Sequence, residues 1–163
     1  MLGILLLACT EPTDDTAAVD TTCTGAPADC IDATRYVEDL EAFAILRPPG
    51  AEGWQAVQDA CAGELERLGF AVERQDYGTG INVIGRQAGT ASAPRTVIVS
   101  AHYDHLDDCV GADDNATGVA GVLEVARVLA GRSHSNDLVV ACWDEEESGL
   151  IGSLAYAEEA LLQ

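Results

Sequence analysis

Three features of the sequence predict an α/β fold, a three-layer sandwich about a mixed, mainly parallel sheet that is incomplete at its C-terminus. Two short, β-branched apolar runs, Thr96-Val-Ile-Val-Ser-Ala101 and Asp137-Leu-Val-Val-Ala-Cys-Trp143, read as buried strands. Between them, Val119, Val122, Leu123, Ala126, Leu129 and Ala130 recur at helical spacing. A further helical stretch, Gly149 to Leu162, follows the second run. Strand, helix, strand, helix at this spacing implies parallel pairing through a right-handed crossover. A parallel sheet is normally covered on both faces, which supplies the outer layers.

The earlier elements follow from the same rules. Ile31 to Leu46 is predicted as a helix with Tyr36, Leu40, Phe43 and Ala44 on one face, ended by Arg47-Pro-Pro-Gly50. Trp54 to Leu68 is the next helix, with Trp54, Val57, Cys61, Leu65 and Leu68 on one stripe and Gly69 as its C-terminal cap. Phe70 to Gln75 and the run from Ile81 to Ile84, joined through Gly78-Thr-Gly80, are expected to form a hairpin. Gln87 to Pro94 is a polar loop.

Three regions are expected along the chain. Residues 1–9 are a signal-like apolar segment, too short to span a bilayer, and Leu6-Leu7-Ala8-Cys9 resembles the lipobox of bacterial lipoproteins. No Lys or Arg precedes it. Residues 10–30 are rich in Thr, Ala, Asp and Pro and read as a disordered acidic tether. Residues 31–163 form the folded domain. An exported protein is expected, either a cell-envelope lipoprotein anchored through Cys9 or a secreted one. Export permits disulfides; the five cysteines after Cys9 are an odd number, so at least one is left free or pairs between chains.

The net charge is −20, from 28 acidic residues against eight arginines and no lysine. That excludes a nucleic-acid partner, which requires a basic face. It suits divalent cations, although much of the acidity serves only solubility.

The acidic and imidazole groups gather at strand ends. His102-Tyr103-Asp104 closes the first buried run, Gly111-Ala-Asp-Asp-Asn-Ala-Thr-Gly118 follows it, and Asp144 to Glu147 closes the second. Ligands of open α/β sheets bind outside the carboxyl ends of the strands. His102 offers a nitrogen suited to zinc, Asp113 or Asp114 a carboxylate able to bridge two cations, and Glu147 a further oxygen. Asp104, two residues from His102 along an extended segment, can accept the other imidazole N–H and fix the ring. Glu146 can stay unmetallated and take a proton from a bound water. Each signal has an ordinary reading as well. His-x-Asp can be a surface pair, Asn115 or Thr117 can cap the next helix, and Glu145-Glu146-Glu147 can be a solvated run. Asn115-Ala-Thr117 also fits a glycosylation sequon, but sugar there would obstruct the loop. Cys142 reads as a core residue, and Cys109, in the acidic loop, is not needed as a ligand.

From Val97 to Gly152 the sequence resembles the zinc aminopeptidases and carboxypeptidases of peptidase family M28. The resemblance rests on His102-Tyr-Asp104, Gly111-Ala-Asp-Asp-Asn-Ala-Thr-Gly118 and Glu146-Glu-Ser-Gly-Leu-Ile-Gly-Ser153, which match the first three motifs of the family in order. It implies a zinc exopeptidase-like fold and two Zn2+ ions in the complete enzyme. His102 would ligate one ion, Asp114 would bridge, and Glu147 would ligate the other. Glu146 would be the general base and Asp104 the aspartate behind His102, together the catalytic pair. The family's further ligands, an aspartate on a later strand and a late histidine, have no counterpart up to Gln163. His134 lies at the wrong end of its strand, and His105 belongs to a loop variant of bacterial members. The chain is therefore expected to be the N-terminal portion of a longer exopeptidase, an aminopeptidase in type, acting on peptide substrates. The alternatives are a degenerate, non-catalytic metal-binding surface lipoprotein and a glutaminyl cyclase-like aminoacyl transferase.

Overall fold

The computed structural model describes residues 23–106 and 108–162. The signal-like segment at 1–9 and most of the tether lie outside the described residues. Within them, a 3₁₀ turn (Pro27–Cys30) leads into α1 (Ala33–Phe43), α2 (Glu52–Arg67), β1 (Ala71–Asp76), β2 (Ile81–Gln87) and β3 (Thr96–His102). Then come a wide turn (Ala112–Ala116), α3 (Thr117–Ala130), β4 (Asp137–Trp143) and α4 (Ile151–Ala160). No helix among the described residues is long and apolar enough to cross a membrane.

The sheet order is β1-β2-β4-β3. β1 and β2 form the expected hairpin, Ala71 opposite Arg86 through Asp76 opposite Ile81. β2 also pairs antiparallel with β4, from Val83 opposite Cys142 to Gln87 opposite Leu138. β3 and β4 run parallel, Thr96 beside Asp137 through His102 beside Trp143. This pairing, with α3 as its crossover, sets the two site segments side by side. The sheet is thus mixed, and its parallel part is the part that carries the site.

Strand alternation divides the interior into two layers. Leu138, Val140 and Cys142 of β4 join Val83, Ala101 and Tyr103 against Phe43, Val57, Cys61, Leu65, Val119 and Leu123 from the first three helices. Val139 and Ala141 face the other way with Ile84, beneath Trp143 and Tyr156 of α4. Leu65, fully buried, is a measure of the larger core: truncation to Ala costs about 2–5 kcal/mol at such a site.

The structure corrects one expectation about this sheet. The Thr96 run reads as buried, yet Val97 and Ile98 are 46% and 45% exposed. Among the described residues β3 has only β4 as a neighbour; α3 packs on one of its faces, while α4, on the other side of the sheet, lies over β2.

Described residues ahead of Ile31 are tied to the helices. A disulfide joins Cys23 to Cys30, and Arg132 donates to the Cys23 and Gly25 carbonyls at 3.0 Å each. Arg127 donates to the Cys30 carbonyl and pairs with Glu124, whose carboxylate also accepts the Asp32 N–H at 2.6 Å. Cys61, Cys109 and Cys142 are free thiols, and Cys142 is buried, as a core residue should be.

Candidate metal centre

The site is assembled where β3 and β4 end. The last β3 residue, His102, lies beside Trp143, and the Tyr103 N–H donates to the Trp143 carbonyl at 2.8 Å. This one hydrogen bond puts the segment leaving β3 directly against the one leaving β4.

Buried polar groups then fix both segments. Asp104 is fully buried. Its Oδ1 accepts the Glu146 N–H at 3.0 Å and its Oδ2 the Glu147 N–H at 3.2 Å. Oδ1 also lies 3.4 Å from His102 Nδ1. The aspartate expected behind His102 therefore holds the acidic turn as well. Asp144, equally buried, accepts from Trp54 Nε1 at 2.8 Å, the Ile81 N–H at 2.9 Å and the Glu145 N–H at 2.9 Å. Burial pushes the Asp144 carboxyl up, against the pull of these donors. Gly152 packs on this turn: a side chain there would collide with Asn82 Oδ1 and the Asp144 carbonyl.

Beneath the loops lies Arg47, with no exposed surface. Its guanidinium donates to the Tyr103, Val110 and Gly111 carbonyls at 2.8, 2.6 and 2.7 Å, and more weakly to Asp114 at 3.4 Å. Two further bonds, to Phe43 and Ile45, tie it to the end of α1. Burial lowers its pKa, and the charges of Asp104 and Asp114 oppose the shift. Gly111 supplies the entry to the wide turn at φ 52°, where a Cβ would meet the Asp114 carbonyl and the His105 ring at 2.5 Å each. Asn115 caps α3 by accepting the Gly118 N–H at 3.0 Å.

The side chains on this frame are only partly convergent. His102 Nε2 lies 3.0 Å from Asp114 Oδ1 and 3.8 Å from Glu146 Oε2. Burial alone would lower the His102 pKa, but the Asp104 hydrogen bond and the charges of Asp104, Glu146 and Asp114 outweigh it and raise the pKa. Glu147 instead places Oε1 2.7 Å from His105 Nδ1. His102, Asp114 and Glu146 are thus brought together, and Glu147 is drawn to a neighbouring histidine. Asp113 is not the residue beside His102: its carbonyl accepts the Thr117 hydroxyl at 2.8 Å.

This donor set fits zinc. An imidazole with Nδ1 backed by a buried carboxylate presents Nε2 to a second carboxylate, a nitrogen and oxygen combination the ion favours.

The description "Peptidase family M28" matches residues 82–163, half of the chain. The chain belongs to peptidase family M28. The matched region takes in β2 from Asn82 onward, β3, β4 and His102, Asp104, Asp114, Glu146 and Glu147. The chain is 45% identical over 78 residues to the Probable lipoprotein aminopeptidase LpqL of Mycobacterium tuberculosis, covering 47% of this chain and 15% of that protein. Among solved structures it resembles a Zn-dependent exopeptidase from Parabacteroides distasonis, with TM-score 0.59 and 26% identity over 71% of this chain and 47% of that one. It resembles the glutaminyl cyclase of Tannerella forsythia to a similar degree, with TM-score 0.58 and 27% identity over 70% of this chain and 47% of that one. The chain thus spans less than half the length of each of these three proteins. Both solved structures fit the zinc exopeptidase-like fold described above.

The residues not foreseen from sequence are Arg47, Asp144 and His105. An arginine ahead of two prolines carries no chemical motif. Asp144 stood out only as the first of four acids. His105 had one available signal, its place three residues beyond the His102 ligand position.

Proposed function

We propose that this chain carries part of the catalytic domain of a zinc-dependent exopeptidase, an aminopeptidase in type, that hydrolyses peptide bonds. The observation that supports it is the 3.0 Å approach of His102 Nε2 to Asp114, with Asp104 behind the ring. His102 and Glu147 would each hold one of two ions and Asp114 would lie between them. Zinc, when bound, lowers the pKa of a coordinated water and polarises the scissile carbonyl.

The chain's own residues do the rest. Asp104 holds the His102 ring and the Glu146–Glu147 backbone in one unit. Glu146, free of ligand duty and one-third exposed, accepts a proton at its carboxylate and passes it to the leaving amine. Arg47 and Gly111 keep the Asp114 loop against that unit.

We further propose export, with Cys9 as a lipid anchor; LpqL's description as a lipoprotein supports it. Fatty-acid labelling that disappears in Cys9→Ser is the expected result.

A second reading, aminoacyl transfer as in glutaminyl cyclases, draws on the likeness to the Tannerella forsythia enzyme. One experiment separates the readings. The chain, and the longest open reading frame that contains it, are assayed with zinc on aminoacyl nitroanilides and on peptides with N-terminal glutamine. Release of the N-terminal residue supports the exopeptidase, and cyclisation without hydrolysis supports the transferase. Zinc binding with neither activity supports a non-catalytic surface protein.

A further inference from the structure

We propose that His105, Asp108 and Cys109 form an auxiliary site for one borderline-soft divalent cation, of the zinc, cadmium or cobalt class, beside the His102 centre. Among the described residues they are the one set of three His, Cys, Asp or Glu residues whose ligating atoms all lie within 4.8 Å of one another.

The histidine is set for this role. His105 has a side chain 7% exposed, with Nδ1 2.7 Å from Glu147 Oε1. A carboxylate only accepts, so the proton of the neutral ring is assigned to Nδ1 and the lone pair to Nε2. Nε2 in turn lies 3.0 Å from Cys109 Sγ. Metal-ligating histidines almost always donate the other ring N–H to an acceptor, which is a carboxylate, a backbone carbonyl or water. Gly111 leaves room for the ring, since a Cβ there would sit 2.5 Å from His105 Cγ.

The other two donors supply access and softness. Asp108 and Cys109 are exposed, so an ion reaches them from solvent. At ordinary Zn–N and Zn–S lengths, tetrahedral geometry needs the nitrogen and sulfur about 3.5 Å apart. The present 3.0 Å opens to that by a small outward movement of the exposed Cys109. One thiolate, one imidazole and one carboxylate select a borderline cation over calcium or magnesium, and leave a fourth position for water. On binding, the Cys109 thiol gives its proton to solvent, the sulfur–metal bond forms, and nothing is oxidised.

The site differs chemically from the proposed exopeptidase centre, which contains no sulfur. Cobalt titration of the full chain with optical detection therefore reads it separately from peptidase activity. A thiolate-to-cobalt charge-transfer band saturating at one ion per chain is expected. Cys109→Ser should abolish the band, and both proteins should show the same far-ultraviolet circular dichroism. Glu147→Ala, which removes the acceptor behind His105, should weaken the cobalt affinity about 10–100-fold. His102→Ala should retain the band. Absence of the band from the wild-type chain, its survival in Cys109→Ser, or its loss in His102→Ala each overturns the proposal. Failure of the exopeptidase reading leaves all of these results unchanged.

Discussion

Asp104 and Glu146 are joined by a hydrogen bond from the Glu146 N–H to the Asp104 carboxylate, 3.0 Å long, between residues 42 positions apart. With its partner bond from the Glu147 N–H, it makes one carboxylate responsible for both halves of the site. Asp104→Asn keeps one acceptor and turns a donor toward the other N–H. Zinc affinity should fall about 10–100-fold, as for loss of a group behind a liganding histidine. Competition with a chromophoric chelator measures it. Unchanged affinity would mean that the turn is held by Asp144 alone.

Glu146 and Glu147 have one chemistry and different surroundings. Glu146 Oε2 lies 3.8 Å from His102 Nε2, and Glu147 Oε1 lies 2.7 Å from His105 Nδ1. Glu146→Gln should leave zinc content intact and lower turnover on the order of 10²–10⁴. Glu147→Gln should lose zinc as well as turnover. Elemental analysis beside peptidase assays decides it, and the reverse pattern exchanges the two roles.

Arg47 stabilises through carbonyls rather than through a buried ion pair. Arg47→Met leaves the Tyr103, Val110 and Gly111 carbonyls without their donor, and each buried unsatisfied group costs about 1–3 kcal/mol. Arg47→Lys keeps the charge but cannot span both loops, so it should melt between wild type and Arg47→Met. Thermal melts of the three proteins test this order. Equal melting of Lys and Met variants would show that charge contributes nothing.

Asp39 gives a pH dependence with a definite sign. Burial raises its pKa; the nearby Arg35 lowers it and Glu64 and Glu124 raise it further. Its Oδ2 is buried and accepts no hydrogen bond among the described residues. Because the folded pKa exceeds the unfolded one, folding favours the protonated carboxyl. The resulting cost is relieved below the unfolded value of 3.8 and grows as pH rises through the folded pKa. Asp39→Asn should therefore melt higher than wild type at pH 7, by no more than about 2–4 °C, and equal it at pH 3. A difference that persists at pH 3 would assign the effect to packing.

How far the sequence revealed this structure depended on range. β4 at Asp137–Trp143 was legible because its alternation and apolar content are local, and both of its faces are buried. His102 and Asp104 were legible because an extended segment sends residues two apart to the same side. Glu147 was assigned by motif position, and its contact with His105 was not foreseen; no local pattern encodes a pairing across 42 residues. Arg47 escaped for a different reason: an arginine beside Pro48 reads as the polar end of a helix, and only the fold shows that carbonyls surround it. The exposure of Val97 and Ile98 was hidden as well, because strand composition does not reveal which strand lies at an edge.

The clasp around Cys23 and Cys30 determines where mechanical load enters the domain. Arg127, in the last turn of α3, and Arg132, just beyond the helix, grip its carbonyls ten residues and more past Thr117 at the site loop. At 1.5 Å per residue, that is about 15 Å along the helix axis. Tension on the chain upstream of Cys23 is therefore taken up by the last turns of α3. The clasp thus lies at the end of α3 remote from His102 and Asp114.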